Sequence, residues 1–226
     1  RNTEYYFLPA ITWSIISTGS IAFRFKPSGH IFNMAGASIF GDDENLSYLQ
    51  GALNSKPLQY ISKIISPTLN NNIGEVATYP IIQTSRYREE IVKLVNENRT
   101  LSRLDWDSFE TSWDFEVHPL IPTSGETKLE ATYDAWDKIS ESRWNKLKTN
   151  EERLNEIFIE VYGMQSELSP EVEDKNVTVR KAKIDREAKS LLSYFVGVIF
   201  GRYALDKPGL NYAGGEWIAS KQSTLV

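Results

Sequence analysis

Residues 46–82 read LSYLQGALNSKPLQYISKIISPTLNNNIGEVATYPII, and the order of parts in this stretch decides how the chain is organised. Leu46, Leu49 and Leu53 recur at spacings of three and four, the period of an amphipathic helix that ends near Asn54-Ser55. A second helix begins at Pro57 and carries Leu58, Ile61, Ile64 and Ile65. Pro67 stops it, because proline has no amide hydrogen and crowds the preceding turn. A polar run, Asn70-Asn71-Asn72, follows, and then the short alternating stretch Ile73 to Ile82, which reads as a strand interrupted at Pro80. Helix, break, helix, polar loop and strand form a unit with its loop turned outward. Asparagine amides can bond an adenine edge or a phosphate oxygen; they are equally ordinary residues for a loop that needs left-handed dihedrals.

Upstream, the pattern is of short strands: Ile11 to Ile16, Ile21 to Phe25 and His30 to Phe32. Lys26-Pro27-Ser28-Gly29 suits a type I turn, so a hairpin is expected between the last two. Alternation along a strand puts Phe23 and Phe25 on one face and Arg24 and Lys26 on the other. The cationic face is either simply solvated or set against phosphate. Lys56 and Lys63 lie in the helical unit, and Arg86-Tyr87-Arg88 leads into a helix built on Ile91, Leu94 and Val95. Two arginines around a tyrosine suit phosphate and base contact, and are also what many helix starts carry.

Asp105 to Leu120 is rich in aromatic residues. Trp106, Phe109 and Trp113 have helical spacing and are expected to pack in a core, since the neighbouring acids Asp105, Asp107, Glu110, Asp114 and Glu116 would repel a nucleic-acid backbone. After a loop at 121–125, two helices are expected, 126–148 and 151–162, because Thr149 and Glu152 have the form of a capping box, and Gly163 suits a C-cap. Residues 165–178 read as a loop. Arg180, Lys181 and Lys183 then stand at a helix start, where Glu171, Glu173 and Asp174 are the nearest counter-charges and DNA or another subunit the alternative. Ile184 to Phe200 is apolar nearly all round, but Asp185, Arg186, Glu187 and Lys189 make it too short to span a bilayer, so a buried helix is expected. Gly197 and Gly201 would admit a close neighbour, and Trp217 is expected to pack back from a glycine-containing tail.

Composition bounds these readings. The 226 residues are 41% hydrophobic, enough for one large or two small domains. The absence of cysteine removes disulfides and thiolate metal sites and fits a reducing compartment, with the cytoplasm as default. No signal-peptide pattern opens the chain, and its first residue is Arg1, as in a segment of a longer protein. The net charge of -5 argues against a freestanding high-affinity nucleic-acid binder. Residues 1–41 carry 3 basic and 1 acidic residue, residues 42–104 carry 7 and 7, and residues 105–226 carry 15 and 22. Any contact with DNA is therefore expected from the first half. The fold class that follows is α+β: a small mixed or antiparallel sheet with helices over 1–104, then a predominantly helical domain over 105–226.

Leu53-Asn54-Ser55-Lys56, Pro67-Thr68-Leu69-Asn70, Ile73-Gly74-Glu75-Val76 and Pro80-Ile81, taken in order, resemble the target-recognition region of large adenine-specific DNA methyltransferases. Three later stretches, Asp105 to Phe115, Glu167 to Ala182 and Leu191 to Asp206, narrow the resemblance to the PglX-type methyltransferases of bacteriophage-exclusion systems. The likeness runs from about Ile21 to Trp217 and covers only the C-terminal part of such an enzyme. It implies a parent that uses S-adenosylmethionine and flips an adenine out of the duplex before methylating it. Such enzymes use an Asn/Asp-Pro-Pro-Tyr/Phe motif, and no Pro-Pro pair occurs here.

No glycine-rich strand-to-helix turn is available for the methyl donor either, and no P-loop. Gly36-Ala37-Ser38-Ile39-Phe40 lacks the second glycine of a nucleophile elbow. His30 and His118 are too few for a histidine metal site and are read as surface or capping residues. Asp174, Glu187 and Lys189 imitate a nuclease constellation but fall on a helix pattern, not on adjacent strands. The expectation is a non-catalytic segment that needs no cofactor or metal itself, partnered by double-stranded DNA and by an upstream methyltransferase domain. Arg24, Lys26, Lys56, Lys63, Arg86 and Arg88 would lie on the phosphates, with Tyr87 beside them as a further DNA contact and Asn70, Asn71 and Asn72 near a groove. A platform that docks other defence subunits is the alternative, and no membrane is expected.

Overall fold

The structure, a computed structural model, describes residues 2–122 and 128–214. It bears out an α+β fold with a helical C-terminal part. Three antiparallel strands, β1 (Ala10–Ser14), β2 (Arg24–Lys26) and β3 (Gly36–Ile39), form a sheet in the order β2-β1-β3. The helices are α1 (Asp43–Asn54), α2 (Lys56–Ile65), α3 (Ile73–Val76), α4 (Arg88–Trp106), α5 (Leu129–Tyr162) and α6 (Ile184–Ile199). The described residues group into two units: residues 1–99 with 148–174, and residues 100–147 with 175–226. Residues 148–174, placed with the helical half on sequence, thus pack with the sheet.

In the first unit β1 pairs with both neighbours, Thr12 with Arg24 on one side and with Ser38 on the other. The hairpin expected between 21–25 and 30–32 does not form. Lys26 to His30 does make a turn, but the chain then runs on to pair Gly36–Ile39 with β1, where Ala37 is buried. The joint read at Asn54-Ser55 is where the sequence placed it, with Pro57 in the first turn of α2, where its missing amide costs nothing. Asp42 caps α1 by accepting from the Asn45 amide at 2.9 Å, a bond that holds its carboxyl below the ordinary range. Gly51 lets α4 approach α1: a Cβ there would stand 3.0 Å from Val95 Cγ2 and 3.1 Å from Ile91 Cγ2. Ile11, Trp13, Phe23, Leu46, Leu58, Ile91, Ile157 and Phe158 form the core of this unit.

Two expectations about element type are overturned. Ile73 to Ile82 is no strand; it opens as the short helix α3, because Asn72 and Glu75 close a reciprocal capping box, and it continues without regular structure through Pro80. Residues 129–162 are one helix, not two. The Glu152 carboxylate, which would close the expected capping box, instead accepts from the Val172 amide at 3.1 Å, and Asn150 beside it donates its amide to Glu97 Oε2 and Asn98 Oδ1, each at 2.9 Å. Gly163 ends this helix at φ 66°, with the Met164 amide reaching the Ile159 carbonyl, as a Schellman C-cap requires.

The second unit packs Phe109, Leu120, Trp136 and Leu191 in one cluster and Phe115, Tyr194 and Tyr203 in another. Its aromatic segment departs from the reading. The helix stops at Trp106, so the expected stripe is never built; Phe109 is buried, whereas Trp106 is 52% exposed and Trp113 fully so. Nor is α6 buried all round: Glu187, Leu191, Tyr194 and Gly197 face inward and Leu192, Val196 and Ile199 face water. His118 is 2% exposed, not a surface residue. The loop over 123–125, the helix start at 126–127, Gly215 and Trp217 lie outside the described residues. No helix among those described is long and apolar enough to cross a membrane.

Candidate nucleic-acid interface

The six cations assigned to phosphate divide into three kinds. Arg86 and Arg88 are turned to carboxylates of their own unit: Arg86 lies 3.0 Å from Glu160 Oε1, and Arg88 lies 2.5 Å from Glu44 Oε1 and 2.6 Å from Asn45 Oδ1. Tyr87 between them donates to Glu160 at 2.9 Å, which pushes its phenol up from the ordinary value. This trio fastens the start of α4 to α1 and α5. Lys26 and Lys56 are turned to carbonyl oxygens, Lys26 to those of Leu8 and His30 at 3.1 and 3.2 Å and Lys56 to that of Glu171. Lys26 also stands 5.7 Å over the Phe40 ring, and partial desolvation lowers its pKa. Arg24 and Lys63 are exposed and make no ion pair among the described residues.

The three asparagines serve the backbone. Asn70 bridges to Ile16, extending the sheet, and its carbonyl accepts from the Ser66 and Thr68 hydroxyls. Asn71 is buried; its amide reaches the Ile15 carbonyl at 2.6 Å and its own carbonyl accepts the Trp13 indole at 2.9 Å. Asn72 caps α3. The loop is thus held by main-chain bonds, and of the three only the Asn70 and Asn72 side chains reach solvent.

Charge divides differently once the chain is folded. Residues 148–174 carry 2 basic and 8 acidic residues and pack with the sheet, so the first unit holds 11 basic and 16 acidic residues and the second holds 14 of each. The positive first half read along the chain is therefore not a positive unit in space, and Arg86 shows why: its partner Glu160 comes from 74 residues downstream. A six-cation face is not what the fold presents.

In the second unit the cations at the start of α6 are mostly neutralised, though not by the acids nearest in sequence. Arg180 bonds the buried Asp105 through its backbone amide at 3.1 Å and its Nε at 3.0 Å and stacks 3.7 Å from the Phe109 ring centre. Lys181 stands 3.7 Å from Glu141 and over Trp144. Glu187, 1% exposed, accepts from the Trp136 indole, the Lys183 amide and Arg186. Its burial among donors is structural. No group of three or more His, Cys, Asp or Glu residues that could hold a metal occurs among the described residues.

Comparison with known proteins gives this arrangement its context. No family model matches the chain. The adenine-specific methyltransferase PglX of Lacticaseibacillus casei (strain Zhang) is 42% identical over 230 residues, taking in 100% of this chain and 19% of the relative. This chain is similar to a segment of PglX-type proteins. The adenine-specific methyltransferase BrxX of Escherichia coli O9:H4 (strain HS) agrees, 30% identical over 233 residues, with 94% of this chain and again 19% of the relative covered. The chain thus spans about a fifth of the length of these PglX-type relatives.

Proposed function

We propose that this chain is a non-catalytic segment of a PglX-type adenine-specific DNA methyltransferase, and that its first unit helps to hold the DNA target. The similarity to PglX along the entire chain carries the reading. Methyl transfer and S-adenosylmethionine binding belong to another part of the parent. The sequence supports this: it has no Pro-Pro pair for the amine-holding motif and no glycine-rich turn between strand and helix for the methyl donor. The phosphate contacts are narrower than the sequence reading made them. Arg24 and Lys63 supply them, Asn70 offers its exposed side-chain amide, and Arg86 can exchange its exposed pairing with Glu160, since such pairs contribute on the order of 1 kcal/mol or less. Phosphate contacts of this kind position a duplex without reading it.

The test is duplex binding by the full-length protein over a salt series. Arg24→Ala with Lys63→Ala should weaken binding to any sequence alike and reduce the slope of log affinity against log salt by roughly 2, about 0.9 per phosphate contact. Unchanged affinity and slope would remove the DNA role. A second reading, a protein-docking body, has one observation in its favour: the second unit exposes large apolar side chains, among them Trp113, Ile199 and Phe200.

A further inference from the structure

Helix α6 has two apolar faces, and the second unit uses one. Leu191, Tyr194 and Gly197 are buried, with Tyr203 folded back over Gly197. On the other side Leu192 is 66% exposed, Phe195 40%, Val196 52% and Ile199 78%, and Phe200 continues the run at 77%. Spacings of three and four make these neighbours on one strip along the helix, with the half-exposed Ile184 toward its start. Single exposed apolar residues are normal on any protein. A continuous strip of five large ones marks an interface.

The N-terminal end of this strip is charged. Lys183 and Lys189 are exposed and make no ion pair among the described residues; Lys189 does not pair even with Asp185, one turn earlier. An occupant that fits is apolar over most of its length and carries carboxylates where it meets these two lysines. A longer polypeptide would hold such an occupant in reach, because tethering raises its effective concentration to the millimolar range. The relatives have that polypeptide: four-fifths of their length lies outside the matched segment.

We infer that the outer face of α6 is the docking face for another region of the same polypeptide, an apolar surface with acidic residues set against Lys183 and Lys189. This rests on the reading that the chain is a segment of a longer PglX-type protein.

The experiment places a photoreactive benzoylphenylalanine at Ile199 of the native full-length protein, with exposed Ala135 as control, and maps cross-linked peptides by mass spectrometry beside light scattering. Cross-links from Ile199 to a region of the same polypeptide outside residues 1–226, in a monomer and several-fold above the Ala135 yield, are expected. Cross-links between two copies of α6 in a dimer would overturn the inference in favour of self-association. A yield no higher than that at Ala135 would overturn it in favour of a solvated face, while leaving the segment reading intact. A native polypeptide whose mass leaves no room for a further domain would end both, and the intact mass separates that failure from the other two.

Discussion

Gly197 lies under the ring of Tyr203 so closely that a Cβ on it would stand 2.7 Å from Cδ2 and 2.9 Å from Cε2. The contact arises because the chain turns back after α6 through Gly201, at φ 74°, and lays Tyr203 on Tyr194, with ring centres 5.0 Å apart and planes 21° apart. The ring is buried and has Phe115 on another side, 5.4 Å away, so it has little room to yield. Gly197→Ala should therefore destabilise the protein by roughly 1 to 3 kcal/mol, the usual cost of forcing a methyl into a packed core, although alanine is the better helix former. Thermal unfolding checks this. A variant as stable as the parent would mean that Tyr203 does not hold this position in solution.

His118 gives the protein an acid-sensitive element. Burial lowers its pKa from 6.5 to about 4, against a smaller opposing pull from the Glu187 carboxylate. Its Nδ1 accepts from the Leu120 amide at 3.1 Å, which requires an unprotonated nitrogen. With the folded pKa below the unfolded one, the unfolded chain binds the proton first. Stability is whole above pH 6.5 and falls as pH drops toward 4, by up to about 3 kcal/mol for this shift. His118→Asn keeps an acceptor two residues before Leu120 and removes the titration. Its unfolding free energy should fall less between pH 7 and pH 4.5 than that of the parent, as denaturant titration at the two values would show; equal losses would clear His118 of the effect.

What was legible along the chain was local. Leu46, Leu49 and Leu53, the Asn54-Ser55 joint, Pro57 and Gly163 each specify structure through neighbours three or four residues away, and each stands where its spacing put it. The errors share an opposite cause. Thr149 and Glu152 looked like a cap because the amide that Glu152 satisfies belongs to Val172, a loop partner that spacing does not reveal. Arg86 and Arg88 looked free because Glu160 and Glu44 reach them only through the fold. The strand 36–39 was missed because its partner is β1, more than twenty residues upstream, and not the segment before it. The exposure of Trp106 and Trp113 was hidden by a helix that ends at Trp106, before it can carry Phe109 and Trp113 round to the same face.

The Asp105 and Arg180 pair makes a sharper demand than the exposed pairs of the first unit. Asp105 is 6% exposed, bonds both the amide and the guanidinium of Arg180, and so fixes the approach to α6 at the point where Phe109 is stacked beneath that guanidinium. Asp105→Ala should cost about 2 to 3 kcal/mol, because it leaves a part-buried cation and a backbone donor without their acceptor. Arg86→Ala, at an exposed pair, should change stability by less than about 1 kcal/mol. Urea unfolding of the two variants side by side tests the contrast. Equal losses would show that burial does not separate these pairs.

Asn72 distinguishes turn chemistry from base reading. Its side chain accepts from the Glu75 amide while Glu75 Oε2 accepts the Asn72 amide at 3.2 Å and the Ser66 hydroxyl at 2.7 Å, a set of bonds that starts α3 and holds the Glu75 carboxyl below its ordinary range. Serine and aspartate can fill an N-cap and alanine cannot, so Asn72→Ser and Asn72→Asp should unfold near the parent while Asn72→Ala loses about 1 kcal/mol. A base reader would behave otherwise, since serine cannot make the paired bonds that an amide makes to adenine. If Asn72→Ser in the full-length protein keeps its stability but loses discrimination between target and non-target duplexes in a binding titration, the side chain reads DNA. If both are kept, the asparagine run is there to turn the chain, and sequence reading in this unit falls to residues such as Asn70.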